Sequence, residues 1–306
     1  RRTFGISLPV PGNGIELIQM ATEIDCLLQM ADAGFHSRNN HPVNFPMTKI
    51  IPVALALVMA LAAYTPAAKP DEKASAAKSS ESAKVLKCLL VTGGCCHDYA
   101  FQSKALTLAS AAKADIEWTV VNKGGRGTKA QIDLYDDPEW ATPYDVVVHN
   151  ECFANTKNPD YIRKIVNGHR DGTPAVVIHC AMHTYRAAEI DDWRRFLGVT
   201  SRKHEHQARY PVKTERADHP IMKGVPPDWV TPKDELYIIE KTWPNTTVLA
   251  TSKSEKTQKS QPVFWVNEFE GARVFGTTYG HTNDTFSDPV FLDLLTRGIL
   301  WSAGKL

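Results

Sequence analysis

The stretch from Val85 to Gly94, VLKCLLVTGG, is an almost continuous apolar run that ends in two glycines. A short apolar run without polar alternation is typical of a strand that is buried on both faces, and the glycines indicate the turn that follows it. Similar apolar runs recur along the chain, separated by segments of helical composition. The pattern therefore predicts a parallel sheet that is covered by helices on both faces.

The segments that follow extend this pattern. Further strands are predicted at residues 116–121, 144–148 and 175–178, and helices at 103–114, 159–167 and 187–197. Later strands are predicted at 208–214, 236–239, 247–251, 262–268 and 273–278, with a hairpin turn at 268–271 and a closing helix at 289–302. We predict one α/β domain of flavodoxin-like winding, with a mostly parallel sheet, helices on both faces and added antiparallel strands.

The sequence before this domain predicts an export signal. Met47 is followed by Thr48, Lys49 and an apolar run of about 14 residues, an order that is typical of a secretory signal peptide and too short for a membrane span. We predict a signal peptide at residues 47–65. The protein is therefore expected in the periplasm or outside the cell, with no stable membrane span after the signal is cleaved.

The other segments before the domain are not expected to fold with it. Residues 66–84 contain no aromatic or β-branched side chain, so they are predicted to form a disordered linker. Residues 1–46 precede the signal and are expected to be upstream sequence that is translated from a misassigned start. The folded domain is predicted at residues 85–306.

Charge and cysteine content exclude several classes of protein. The chain has 35 Lys and Arg against 34 Asp and Glu, a formal net charge of +1, so it lacks the positive field that nucleic acid requires. Five of the 6 cysteines lie in the domain, and an odd number without regular spacing does not describe a disulfide framework. The adjacent pair Cys95 and Cys96 has no metal-binding spacing and is expected to be structural.

Four histidines lie where predicted strands end, namely His97, His149, His179 and His281. The carboxyl ends of parallel strands meet at one edge of a sheet, where ligands of open α/β proteins bind. Imidazoles titrate near neutrality and suit acid–base work. We therefore predict a catalytic pocket at this edge, with these neighbours as candidate substrate-binding residues: Asp98, His149, Asn150, Glu151, Cys180, His183 and Tyr279.

Two other chemistries remain open at the same edge. Cys180 follows a central strand and precedes a helix, as the nucleophile of class I glutamine amidotransferases does, but its neighbours are not the small residues that such a sharp turn needs. We favour Cys180 as a wall of the pocket. Histidine pairs at 179 and 183 and at 204 and 206 are candidate ligands of a divalent ion such as zinc, although neither spacing is diagnostic.

An ordered series of short motifs resembles one known family. The motifs are Val91–Gly94 with His97, Ile178-His179 with Ala181, His219-Pro220-Ile221 with Gly224, Asp234-Glu235-Leu236-Tyr237, Pro262 with Trp265, Gly271–Phe275 and Gly280-His281. The series, over about residues 85 to 304, resembles the ThuA-like family, named for trehalose utilisation, within the class I glutamine amidotransferase-like superfamily. One departure is Cys180, where that family usually has glycine.

The resemblance implies the amidotransferase-like fold without its cysteine chemistry, and a role in carbohydrate breakdown. Its substrates would be disaccharides or glycosides, including forms oxidised at the sugar 3-position, and the enzyme would be a hydrolase, lyase or isomerase. For such chemistry His179 or Glu235 is the expected base, and His97 and His281 would polarise the carbonyl or protonate the leaving oxygen. The alternative role for Asp234 and Glu235 is to cap a helix or to pair with Arg273.

Two functions of other classes remain as alternatives to this enzyme. A module that binds a sugar without chemistry would also place aromatic and polar groups at the sheet edge. An amidotransferase-like hydrolase would use Cys180 as its nucleophile. Both alternatives share the expected partner, a small molecule rather than nucleic acid.

Overall fold

The computed structural model describes residues 84–306. The predicted upstream segment, signal peptide and linker, apart from Lys84, lie outside these residues. Ten strands and four α-helices are formed within them. The strands are β1 (Leu86–Gly94), β2 (Ile116–Asn122), β3 (Val146–Cys152), β4 (Ala175–Ile178), β5 (Val199–Ala208), β6 (Lys213–Thr214), β7 (Asp234–Thr242), β8 (Thr246–Lys253), β9 (Ser260–Phe269) and β10 (Ala272–Thr277). The helices are α1 (Tyr99–Ala111), α2 (Pro159–Arg170), α3 (Asp192–Leu197) and α4 (Pro289–Ser302).

Eight strands form one mostly parallel sheet, in the order β2-β1-β3-β4-β10-β9-β8-β6. The first five of these are parallel neighbours, while β9, β8 and β6 add antiparallel strands beyond β10. Strand order reverses between β1 and β3, the kind of point where ligands bind in open α/β sheets. The predicted α/β fold with added antiparallel strands is confirmed.

Hydrophobic side chains cover both faces of this sheet. Leu90 of β1 packs in a cluster with Leu106 of α1 and Leu294 of α4. Its neighbour Leu89 points to the other face and packs in a second cluster, together with Ile165 of α2 and others. Successive residues of a strand point to opposite faces, so the unbroken apolar run of β1 serves two cores at once.

A separate antiparallel ribbon of β5 and β7 accompanies the sheet. The polar composition of segment 201–207, SRKHEHQ, predicts a loop, but the segment lies within β5. It is paired with β7, where His204 lies opposite Tyr237 and Gln207 opposite Glu235. Hydrogen bonding to β7 keeps this segment extended in spite of its polar composition.

Several other boundaries differ from the prediction, and two of these differences have a visible cause. The expected helix at 187–197 begins at Asp192, because the Arg194 guanidinium donates hydrogen bonds to the carbonyls of Arg186, Ala188 and Ile190, which a helix would have used. The strand predicted to end at 148 continues to Cys152, since its backbone remains paired with β1 as far as Gly94. Over residues 84–306, no helix has the length and apolar character that crossing a bilayer requires.

Candidate active site

A pocket of about 290 Å³ lies where β1, β4 and β10 end, and the ribbon of β5 and β7 forms one of its walls. The sheet contributes His97, Cys180 and His281, and the ribbon contributes His204, Glu235 and Tyr237. His179 lies directly behind this lining and contacts several of its members. The structure thus brings together the four residues expected to act as acids and bases, which are separated by up to 184 positions between His97 and His281.

His179 has a backbone conformation that few residues other than glycine adopt. It follows β4 directly with φ at 47°, the left-handed region. Gly280, in the segment that follows β10, lies beside it, and an added Cβ there would be 3.2 Å from the His179 Cβ, so glycine allows the two segments to approach. Local strain of this kind is concentrated at functional sites.

The proton positions on His179 follow from its partners. Nδ1 is 2.6 Å from the carbonyl oxygen of Thr278, which can only accept, so Nδ1 carries the proton. The Nε2 lone pair then faces the pocket, 3.3 Å from both the Tyr237 hydroxyl and His281 Nδ1. Burial and the neighbouring His97 lower the pKa of His179 well below its usual value. The imidazole is therefore neutral at physiological pH.

Glu235 and His281 form the charged pair of the pocket. Glu235 Oε2 is 3.3 Å from His281 Nδ1, 3.5 Å from His204 Nδ1 and 3.7 Å from His179 Nε2. Burial opposes ionisation of both groups, but their mutual hydrogen bond and charge outweigh it, so the pKa of His281 is raised and the pKa of Glu235 is lowered. Both shifts favour the charged forms, a carboxylate beside an imidazolium.

Buried Asp234 holds this pair in place. Its carboxylate accepts hydrogen bonds from the backbone N–H groups of Glu235 at 2.7 Å, Gly280 at 3.0 Å and His281 at 3.2 Å, and from the Thr285 hydroxyl at 2.6 Å. Burial raises its pKa to about 6 in spite of these donors. The alternative pairing of Asp234 with Arg273 is not formed, because Arg273 donates to the Trp301 carbonyl.

His97 connects the pocket to the cysteines. Its Nδ1 donates to the His281 carbonyl at 3.1 Å, which leaves the Nε2 lone pair 3.0 Å from Cys180 Sγ. Burial and the charge of His281 lower the pKa of His97 to about 4. The hydrogen bond with Cys152, at 2.8 Å between sulfurs, and burial raise the pKa of the Cys180 thiol well above its usual value. Both groups are uncharged at neutral pH.

The adjacent cysteines, expected to be structural, are joined to each other. Cys95 and Cys96 form a disulfide between neighbouring residues at the rim of the pocket. Cys152 Sγ lies 3.5 Å from Cys95 Sγ, and Cys152, Cys180 and Cys88 are free thiols. Neither the pairing nor its place in the pocket was foreseen, because sequence spacing says nothing about which cysteines meet.

Several predicted substrate-binding residues lie elsewhere. His149 and Glu151 are completely buried within β3 and hydrogen-bond to each other at 3.0 Å, and His149 also contacts His169. Asn150 is buried and donates to Gln102. The structure corrects their placement, because β3 is longer than predicted and these residues point into the packing layers instead of into the pocket. Tyr279 is likewise in the core, stacked on Tyr210.

Two further candidates lie at or beside the pocket. His183 lines it and stacks on the Tyr237 ring, with 3.9 Å between ring centroids. Asp98 caps α1 and lines a neighbouring hollow of about 780 Å³, which shares Cys96 and His97 with the pocket. The two hollows therefore adjoin at His97.

Tyr237 and His204 are pocket residues that the sequence analysis did not assign to substrate. A signal for Tyr237 was present, since residues two apart on a strand share a face and Glu235 was already a candidate. His204 had been noted as a candidate metal ligand, but the pairing of β5 with β7 was needed to place it near Glu235.

The relationships to known proteins agree with this architecture. A family model described as ThuA, trehalose utilisation, matches residues 91–302. No curated protein sequence matches the chain. A solved ThuA-like protein from Parabacteroides merdae is 22% identical, with 73% of this chain and 92% of that one covered and a TM-score of 0.58. One from Bacteroides uniformis is 17% identical, with 72% and 92% covered and a TM-score of 0.55. At these identities the likeness shows the fold.

Proposed function

Because this chain belongs to the ThuA family, whose model covers residues 91–302, we propose that it is an exported carbohydrate-processing enzyme. It acts on disaccharides or glycosides, including 3-keto derivatives, by acid–base chemistry. The observation that carries the proposal is the arrangement of Glu235 and His281 beside the Nε2 lone pair of His179, with all three atoms within 3.7 Å of one another. A base and an acid are thus held at one pocket.

Each group has a role that its protonation allows. A 3-keto sugar has an acidic C–H next to its carbonyl, and the Glu235 carboxylate or His179 Nε2 takes this proton. The electron pair of the C–H bond becomes the enolate double bond, and the carbonyl π electrons move to oxygen. The His281 imidazolium stabilises that oxygen. The protonated base then gives its proton to the glycosidic oxygen on the adjacent carbon as that oxygen is expelled, which completes an elimination, whereas protonation at another carbon completes an isomerisation. His97, whose neutral Nε2 carries a lone pair, relays this proton by accepting it before passing it on.

The size and lining of the site support a substrate of two rings. The pocket of about 290 Å³ and the adjoining hollow of about 780 Å³ meet at Cys96 and His97. One ring of a disaccharide fits beside the reacting groups while the second extends towards Asp98. Tyr237 and His183, which stack on each other, give the pocket an aromatic wall.

Variants of the two candidate bases test the proposal. Glu235→Gln and His179→Gln should each lower kcat by about 10²- to 10⁴-fold on the active substrate, with a smaller change in KM, because each removes a proton acceptor. Substrates are a panel of native and 3-keto disaccharides, including trehalose and 3-keto-trehalose. The matched control is His206→Ala, since His206 is half exposed and pairs with Glu255 away from this cluster.

The same measurements separate the enzyme from a binding module. If both variants bind the sugar more weakly while turnover per bound sugar is unchanged, the acid–base assignment is wrong. If wild-type protein binds the sugars and converts none of them, the non-catalytic alternative replaces it. Export remains a prediction from the Met47 signal, and cell fractionation that found the protein only in the cytoplasm with residues 47–65 intact would contradict it.

One contact favours a second function, amidotransferase-like hydrolysis through Cys180. The 3.0 Å between His97 Nε2 and Cys180 Sγ is the distance of a nucleophile and its base. Against it, the raised pKa of Cys180 and the lowered pKa of His97 oppose the thiolate–imidazolium pair that such chemistry uses. Acid–base chemistry is therefore the better supported function.

A further inference from the structure

Three side-chain atoms of the pocket have the spacing of ligands around a tetrahedral metal ion. His179 Nε2 and His281 Nδ1 are 3.3 Å apart, Glu235 Oε2 and His281 Nδ1 are 3.3 Å apart, and Glu235 Oε2 and His179 Nε2 are 3.7 Å apart. Zinc binds such atoms at about 2.0–2.2 Å, which separates tetrahedral ligands by roughly 3.3 Å. We propose that His179, Glu235 and His281 form a binding site for one zinc ion.

The proton on His179 is already placed for metal binding. Nδ1 donates to the Thr278 carbonyl at 2.6 Å, so the Nε2 lone pair is free and faces Glu235 and His281. Metal-binding histidines usually hold the second ring nitrogen in this way, with a backbone carbonyl or carboxylate as the acceptor. The bond fixes both the tautomer and the orientation of the ring before an ion arrives.

His281 has a hydrogen-bond partner, Gln207, that can fix its tautomer in the same way. The His281 Nε2 lies 2.6 Å from the side-chain amide nitrogen of Gln207, and a half-turn of that amide puts the oxygen there instead. With the amide oxygen turned towards the ring, Gln207 accepts an Nε2 proton and leaves the Nδ1 lone pair for the ion. The proton that Glu235 and His281 share in the ion-free site is then displaced by the metal.

The backbone that carries two of the three ligands is held by one buried carboxylate. Asp234 binds the N–H groups of Glu235 and His281 and that of Gly280 between 2.7 and 3.2 Å. The start of β7 and the segment after β10 are therefore fixed relative to each other. A preformed site of this kind binds metal without ordering the chain first.

Other groups of candidate ligands in the described residues fit less well. Cys95 and Cys96 are joined in a disulfide, so with Cys152 they do not offer three thiolates. In the group of His97, His179 and Cys180, the Cys180 thiol already hydrogen-bonds to Cys152 Sγ at 2.8 Å. The triad of two histidines and one glutamate requires neither a reduced disulfide nor the loss of that contact between sulfurs.

Three protein ligands leave a fourth position for water or a substrate oxygen. This is the arrangement of catalytic zinc, as distinct from closed structural sites. His97, whose ring centroid is 4.9 Å from those of His179 and His281, lies beside the triad as a proton carrier that is not a ligand. This role of His97 rests on the proposed function. The ion would polarise the sugar carbonyl, which the His281 imidazolium does when no ion is bound. His97 would carry the proton.

Zinc binding is measured without substrate, on full-length protein stripped with EDTA and then titrated with ZnCl₂. We expect one ion per chain by calorimetry and elemental analysis. Glu235→Gln and His281→Ala should each weaken the affinity by about 100-fold or more, because changes in the surroundings of bound zinc already cost 10- to 100-fold. His206→Ala should bind zinc as wild type does. Circular dichroism and thermal melts establish that each variant is folded.

X-ray absorption of the wild-type complex provides a measurement that needs no variant. It should show nitrogen and oxygen ligands at about 2.0–2.1 Å and no sulfur. Sulfur in the coordination shell, no binding by wild-type protein, or binding that Glu235→Gln and His281→Ala leave unchanged would overturn the assignment. Zinc binding without sugar turnover would support the zinc site and contradict the proposed function. Sugar turnover by protein that binds no zinc would support the proposed function and contradict the zinc site.

Discussion

His179 occupies a strained backbone position directly after β4. Its φ of 47° aims the imidazole at Glu235 and His281, while Cys180, one residue later, turns towards Cys152 and His97. Under the proposed function the residue in the sharp turn is a base or ligand, and the cysteine is part of the wall. The alternative function instead makes the cysteine the nucleophile.

Replacement of Cys180 by serine tests that distinction. We expect Cys180→Ser to keep activity within about tenfold of wild type, because a wall residue of similar size is retained, whereas loss of a nucleophile costs several orders of magnitude. Steady-state kinetics on the active sugar provide the measurement. A loss of 10³-fold or more in a folded protein would assign the chemistry to the thiol.

At the scale of elements, the closing helix α4 packs on β10 through a glycine. A Cβ added at Gly298 would lie 2.0 Å from Cδ1 of Phe275, so the helix must move or the ring must rotate. Gly298→Ala should lower the free energy of unfolding by about 1–3 kcal/mol, the usual cost of overpacking, even though alanine favours the helix. Urea unfolding measures the change.

Gly127 provides the matched control for this substitution. A Cβ there meets no atom within 4 Å, and its φ is not positive. Gly127→Ala should leave the urea midpoint nearly unchanged. Equal effects of the two substitutions would show that the contact between α4 and β10 is looser than described.

At the scale of the whole molecule, buried neutral histidines make stability depend on pH. Burial lowers the pKa of His169 and of His183 to about 3, whereas both titrate near 6.5 in the unfolded chain. As pH falls below 6.5 the unfolded chain takes up protons that the folded chain does not, so folding stability falls. Between pH 7 and pH 5 each histidine should cost about 2 kcal/mol. Asp234, whose pKa is raised to about 6, takes up a proton in the folded chain over this pH range. It therefore offsets about 1 kcal/mol of the loss in stability.

Urea unfolding at pH 7 and pH 5 checks this sum. The free energy of unfolding should be lower at pH 5 by several kcal/mol, and His169→Gln should reduce that difference by about 2 kcal/mol, whatever its effect at pH 7. Equal or higher stability at pH 5 would contradict the assignment of neutral buried imidazoles.

Much of the fold follows from local pattern. The bounds of β4 and α4 were predicted to the residue, because an unbroken apolar run and an amphipathic segment preceded by Asp288 each have one good interpretation. The length of β3 and the strand at 201–207 were not predicted, since both depend on hydrogen bonding to a partner strand. For the same reason His149 and Glu151 were expected in the pocket and lie in the core.

The sequence by itself determined the alternation of strands and helices, the placing of histidines at strand ends and the family, since these depend on periodicity and on motifs that are read along the chain. Only the tertiary structure decided which of those side chains meet. The ribbon of β5 and β7 brings Glu235 to His281, and Asp234 joins their backbones. Distances of 3 to 4 Å between residues far apart in sequence arise from strand pairing and burial, and no local pattern encodes them.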